Sequence, residues 1–103
     1  MRALIVGATG FIGQHLLRHL FARSAYCRVL ARPSSDTSKL EDLDIEVVRG
    51  DITNPASLRG IAEGMDVVYN LAGEGHVTAL SADSYAQFQA TNAAGARNLA
   101  RAC

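Results

Sequence analysis

Ala3-Leu4-Ile5-Val6-Gly7-Ala8-Thr9-Gly10-Phe11-Ile12-Gly13 is the stretch on which the reading of this chain turns. The apolar run Ala3 to Val6 reads as a strand. Ile12, Leu16, Leu17, Leu20 and Phe21 then recur at helical spacing and mark one face of a helix. Gln14, His15, Arg18, His19 and Arg23 fall on its other side. Between strand and helix lie Gly7, Gly10 and Gly13. A tight turn needs a residue without Cβ, an approaching phosphate needs bare backbone, and a helix N-terminus offers unpaired N–H groups and a positive dipole end. The backbone amides from Gly10 through Phe11 to Ile12 are the expected donors, Thr9 lies in the same loop, and Gly13 lets the helix pack close to the sheet. A glycine turn without ligand is the bland alternative. Its place after a strand and before a helix favours a phosphate, and the absence of a Lys-Ser/Thr ending favours a dinucleotide over ATP.

Further along, Cys27 to Ala31 resumes a strand pattern and completes a βαβ unit, for which a right-handed crossover is expected. Arg32-Pro33-Ser34-Ser35-Asp36 is a loop by composition, and Asp36 or Ser35 can cap a short turn through Leu40. Glu46 to Arg49 reads as a third strand ending at Gly50-Asp51. Asn54-Pro55 offers an N-cap with proline at the first helical position, and the helix is expected to run to Gly64, suited to a left-handed C-terminal cap. Asp66 to Ala72 is short and nearly all apolar, a fourth buried strand. After Gly73-Glu74-Gly75-His76 a long helix is expected from about Ser81 to the last residue, with Tyr85, Phe88, Asn92, Gly95 and Ala96, Leu99 and Cys103 on one stripe. The alternation predicts an α/β fold in one unit over residues 1–103: a parallel sheet of order 3-2-1-4 with helices on both faces.

Composition agrees and excludes much else. With 103 residues, 49% apolar and 19% charged, the chain suits one globular core and neither a disordered nor a fibrous class. Ten basic and ten acidic residues cancel without like-charge runs, which removes the electrostatic basis for a nucleic-acid or anionic-membrane surface. No apolar stretch reads as a span or signal peptide, so a cytoplasmic location is expected. Cys27 and Cys103 have no partner pattern and are expected to be reduced, structural thiols.

The motifs together resemble the extended branch of the short-chain dehydrogenase/reductase superfamily, the epimerases, dehydratases and dihydroflavonol-reductase-like enzymes. Gly7 to Gly13 looks like its opening motif, and Gly50-Asp51-Ile52-Thr53 like its adenine motif. Asn70-Leu71-Ala72-Gly73 resembles its fourth-strand motif, and Asn92 to Leu99 the helix that follows. The resemblance covers the whole chain and implies the N-terminal, NAD(P)-binding portion of a Rossmann-like fold whose C-terminal half lies beyond it. Asp51 and the neighbouring Ile52 are expected at the adenine edge; capping the turn before Asn54 is the alternative for Asp51. Leu71, Ala72 and Gly73 are expected beneath the cofactor ribose. Asn92, an amide on an apolar stripe, needs a partner: the resemblance implies support of the active site, and bonding to strand backbone is the alternative.

Where an NAD-binding unit carries an acidic residue after its second strand, this chain has Arg32 with Ser34 and Ser35 beside it. A guanidinium fits a 2′-phosphate bidentately in a pocket expected to be free of carboxylates, so NADP is preferred over NAD; a solvated loop arginine is the alternative. The Tyr-x-x-x-Lys pair on which the resembling family's catalysis rests does not occur: the tyrosines are Tyr26, Tyr69 and Tyr85, and the one lysine is Lys39. His15 and His19 lack a third metal ligand, and His76 beside Glu74 reads as a surface histidine with a general acid as the alternative. Thr78, Ser81 and Ser84 have no paired base. The chain is therefore expected to bind dinucleotide without turning it over, as part of a reductase, epimerase or dehydratase for a hydroxyl-bearing substrate such as a nucleotide sugar. The alternative is a non-enzymatic dinucleotide-binding or redox-sensing module. The flat apolar fourth strand, open on one side, is expected to promote dimerisation or aggregation.

Overall fold

The computed structural model describes residues 1–72 and 94–103. Strands β1 (Arg2–Val6), β2 (Tyr26–Ala31), β3 (Glu46–Arg49) and β4 (Val67–Asn70) form one parallel sheet in the order β3-β2-β1-β4. Side chains alternate across a strand, so β1 feeds two layers at once. Ala3 and Ile5 pack with Leu17, Leu20, Cys27, Val29 and Leu40 on one face, beneath helix α1 (Phe11–Ala22) and the 3₁₀ turn Ser38–Leu40. Leu4 and Val6 pack with Leu30, Ile52, Leu58, Ile61 and Leu99 on the other, beneath the 3₁₀ turn Pro55–Leu58 and helix α2 (Gly95–Ala102). The expected sheet order and the cover on both faces are both present.

Helix α1 ends in a hydrogen-bonded reversal. Ser24 N–H donates to the Phe21 carbonyl and Ala25 N–H to the Leu20 carbonyl, with Ser24 at φ 64°. This is the Schellman arrangement, with serine where glycine is the usual choice. Asp36 does cap the short turn before Leu40, its Oδ1 accepting Ser38 N–H at 2.9 Å.

The expected helix from Asn54 to Gly64 is not there. Proline does occupy the first position, but the 3₁₀ turn stops at Leu58, Arg59 is extended, and Gly60 and Gly64 adopt φ of +69° and +78°. Turns follow instead, and their carbonyls are satisfied from the sheet. Arg28 Nη1 donates to the Ile61 and Glu63 carbonyls at 2.8 and 3.0 Å, and Arg2 Nε to the Gly64 carbonyl at 2.9 Å. Asn54 makes no side-chain cap; Ser57 Oγ holds the turn, donating to the Asn54 carbonyl and accepting from Asp51 N–H.

Other corrections are smaller. The strands begin or end one or two residues from the expected limits: Arg2 and Tyr26 join β1 and β2, while Asp66, Leu71 and Ala72 flank β4. Asp66 Oδ2 accepts Arg2 N–H at 2.7 Å, and Leu71 N–H still donates to the Val6 carbonyl at 2.8 Å. Ile12, expected on the apolar face of α1, is 70% exposed. Cys103 is exposed rather than packed, whereas Cys27 is buried and burial pushes its thiol pKa up. The expected start of the long helix at Ser81, with Tyr85, Phe88 and Asn92, lies outside the described residues.

Candidate functional site

Parallel strands put all their carboxyl ends on one edge of the sheet. The register pairs Val6 with both Leu30 and Asn70, and Ala31 with Arg49. The residues just past those ends are Gly7, Arg32, Gly50 with Asp51, and Leu71 with Ala72, which places most of the sequence-predicted site residues along one rim.

The glycine loop divides by function. Gly7 has φ +90°, and a Cβ there would lie 2.7 to 2.8 Å from the Leu71 and Ala72 backbone. A Cβ on Gly13 would overlap the Gly7 carbonyl oxygen and lie 2.7 Å from Ala8 Cα. These two glycines are therefore demanded by the chain itself: one by the turn against β4, the other by the helix against the turn. Gly10 is different. Its φ of −75° and ψ of 171° suit any residue, and a Cβ would meet only the Gly7 carbonyl oxygen, at 3.5 Å. Nothing in the described fold requires glycine at that position.

Gly10 is also the N-cap of α1 and gives its first-turn amides no side-chain acceptor, and no acidic residue lies in that turn. Gln14 N–H donates to the Gly10 carbonyl at 2.9 Å, while the Gln14 side chain donates to the Thr9 carbonyl at 2.9 Å and steadies the loop from behind. Phe11 is 80% exposed, with its ring edge against His15 at a centroid distance of 4.7 Å. The helix end thus presents bare backbone flanked by open apolar side chains.

Across the rim, Asp51 Oδ1 accepts both Thr53 N–H at 2.9 Å and Thr53 Oγ1–H at 2.7 Å. Those bonds hold its carboxyl below the usual carboxylate range, and the positive charge of Arg32 acts in the same direction. The turn-capping role of Asp51 is thus realised, with Oδ2 making none of these bonds. Ile52 is buried in the second layer, and its carbonyl accepts Asn98 Nδ2–H at 2.8 Å, so its side chain belongs to the core. Leu71 is partly exposed, and Ala72 N–H donates to Asn70 Oδ1 at 3.2 Å. Gly73, Glu74, His76, Thr78, Ser81, Ser84 and Asn92 lie outside the described residues.

The loop after β2 is well tied. Ser35 N–H donates to the Arg32 carbonyl at 3.0 Å, closing a turn through Pro33 and Ser34. Arg32 itself is exposed, and among the described residues its guanidinium makes no hydrogen bond. Two residues that spacing did not single out complete the rim: Asn98, which ties α2 to the loop after β3, and Arg49, which ties the end of β3 to the loop after β2. Neither carries a periodic signal; only the position of Arg49 just before Gly50-Asp51 marked its neighbourhood. His15 and His19 do not converge on a third ligand: His19 Nε2 accepts Arg23 Nε–H at 3.1 Å, and no group of His, Cys, Asp and Glu among the described residues could hold a metal ion. No helix among them is long and apolar enough to cross a membrane.

Comparison with known proteins points to one family. The model of the NAD dependent epimerase/dehydratase family matches residues 3–103. Ceramide reductase of Caulobacter vibrioides is 38% identical over 98 residues, covering 95% of this chain and 29% of that protein. A 2-alkyl-3-oxoalkanoate reductase of Shewanella oneidensis is 32% identical over 101 residues, covering 98% of this chain and 24% of that protein. Among solved structures, the UDP-glucose 4-epimerase of Thermus thermophilus in complex with NAD is similar with a TM-score of 0.84 and 25% identity, over 100% of this chain and 33% of that one. The chain spans less than a third of the length of these curated relatives.

Proposed function

The chain belongs to the NAD dependent epimerase/dehydratase family, and on that basis we propose that its carboxyl-edge rim holds NADP for a reductase that interconverts a carbonyl and a hydroxyl on a small substrate. The observation that carries this is Gly10. Gly7 and Gly13 are explained by the chain's own packing, but Gly10 has ordinary dihedrals and room for a methyl group, so its bareness serves something outside the described fold. A pyrophosphate approaching the uncapped first turn of α1 meets that need, since it brings acceptors to unpaired amides and negative charge to the positive end of the helix.

The remaining roles follow along the rim. Amides of Phe11 and Ile12 bind the pyrophosphate, with Thr9 shaping the loop and Gly7 letting the end of β4 close against it. Leu71, Ala72 and Gly73 underlie the nicotinamide-side ribose. Asp51, through Oδ2, and the backbone of Ile52 meet the adenine. Arg32, with Ser34 and Ser35, takes the 2′-phosphate, which makes NADP preferred over NAD. Asn92 supports the active site. A nicotinamide dinucleotide bound there supplies or accepts a hydride, and this chain's residues bind and orient it. The reductase reading is favoured over a non-enzymatic sensor by the reductases among the relatives. A cytoplasmic location and self-association through the edge of β4 that no described strand pairs belong to the same proposal.

The test is a titration of the protein with NADP and NAD, wild type against Arg32→Ala. Loss of a charge-assisted bidentate contact costs about 1.5–3 kcal/mol, so Arg32→Ala is expected to weaken NADP by roughly 10- to 150-fold and leave NAD little changed. Equal wild-type affinities for the two dinucleotides would overturn the preference.

A further inference from the structure

Arg49 is the last residue of β3, and its side chain reaches sideways past the end of β2 into the loop that carries Arg32. Nη1 donates to the Arg32 carbonyl at 3.0 Å and to the Ser35 carbonyl at 2.8 Å, and Nη2 donates to Thr37 Oγ1 at 3.0 Å. The three acceptors lie at the start, middle and end of the loop. The Arg32 carbonyl is thus held twice, by Arg49 and by Ser35 N–H, while the Arg32 guanidinium makes no hydrogen bond among the described residues. A lysine could reach one of these acceptors, but only the planar fork of a guanidinium can serve carbonyls and a hydroxyl from separate nitrogens at once.

We infer that Arg49 is the positioning residue of the 2′-phosphate pocket: it clamps the loop from Arg32 to Thr37 so that Arg32 is held ready for the phosphate before the cofactor arrives. A loop ordered in advance spares the binding step the entropy of immobilising it. Arg49 also adds positive charge to the rim. Three of its five N–H donors are engaged by the loop, and through them it acts on the backbone that carries Arg32. The inference rests on the reading of Arg32 as the 2′-phosphate ligand.

The experiment uses 2′,5′-ADP and 5′-AMP, which differ only in the 2′-phosphate, titrated calorimetrically into wild type, Arg32→Ala, Arg49→Ala and Arg49→Lys. The readout is the ratio of the two affinities, which a general loss of stability does not move. Arg49→Ala is expected to lower the preference for 2′,5′-ADP about tenfold, and Arg49→Lys is expected not to restore it. Amide hydrogen exchange at Ser35 is expected to quicken in both. Full preference in Arg49→Ala, with preference lost in Arg32→Ala, overturns the clamp and leaves the Arg32 reading standing. Full restoration by Arg49→Lys also overturns it, because charge alone would then suffice. No preference in the wild type removes the Arg32 reading and the clamp together. Should Arg49→Ala fail to fold, Thr37→Ala removes one arm of the clamp alone; a roughly two- to threefold loss of preference supports the inference and an unchanged ratio overturns it.

Discussion

Gly10 and Gly13 are three residues apart, and a methyl group added to each has opposite consequences. At Gly13 the Cβ overlaps backbone that cannot give way, so Gly13→Ala is expected to destabilise by about 1–3 kcal/mol or more, visible as a lower melting temperature. At Gly10 the dihedrals already suit alanine, so Gly10→Ala is expected to leave stability unchanged or raise it by about 0.4–1 kcal/mol. The same methyl stands where the pyrophosphate is proposed to approach, and NADP binding is expected to fall at least tenfold by titration. A Gly10→Ala protein that bound as well as the wild type would separate Gly10 from the ligand. Ser24 gives a converse case: at φ 64° its Cβ is strained, so Ser24→Gly is expected to raise stability by about 0.5–1 kcal/mol in a denaturant titration. The glycine loop was legible in the sequence because its spacing falls where a strand meets a helix. Ser24 was not, because any residue can follow a helix and only the hydrogen bonds reveal the left-handed turn.

Element by element, what could be read depended on who satisfies the backbone. β1 and α1 satisfy their own neighbours and bury apolar side chains at regular spacing, so pattern alone located them within a residue or two. Residues 54–64 carry a helical start signal and apolar residues at helical spacing, yet Gly60 breaks the run and strand arginines take over its carbonyls. Donors that come from distant strands leave no periodic trace. The same end of the sheet makes a pH prediction. Glu46 Oε2 accepts Tyr26 O–H at 2.6 Å and Arg28 Nε–H at 2.8 Å, and these bonds hold its carboxyl below the usual carboxylate range. A depressed folded-state value means that the contribution is full above the unfolded pKa of about 4.3 and is lost as pH falls through the lower folded value. Glu46→Gln is expected to lower the melting temperature at pH 7 and to lessen the fall of stability below about pH 4.3. A melting curve against pH with the wild-type acid limb would contradict this.

For the molecule as a whole, the sheet order followed from alternation, and both faces are covered. β4 pairs with β1 on one side only among the described strands. An open strand edge templates pairing, so concentration-dependent self-association is expected in sedimentation velocity, and a clean monomer at high concentration would contradict it. Function at this scale comes down to whether the carboxyl edge of the sheet binds a phosphorylated dinucleotide across Gly10, Arg32 and Asp51. Amide chemical shifts recorded while NADP is added answer that residue by residue. Saturable shifts are expected at Gly10 through Gly13, at Arg32 through Ser35, and at Asp51 and Ile52, with Arg28, Glu46 and Gly60 at the far end of the sheet unmoved. Shifts gathered around Arg28 and Gly60, or no saturable shifts at all, would mean that the rim is not the dinucleotide site.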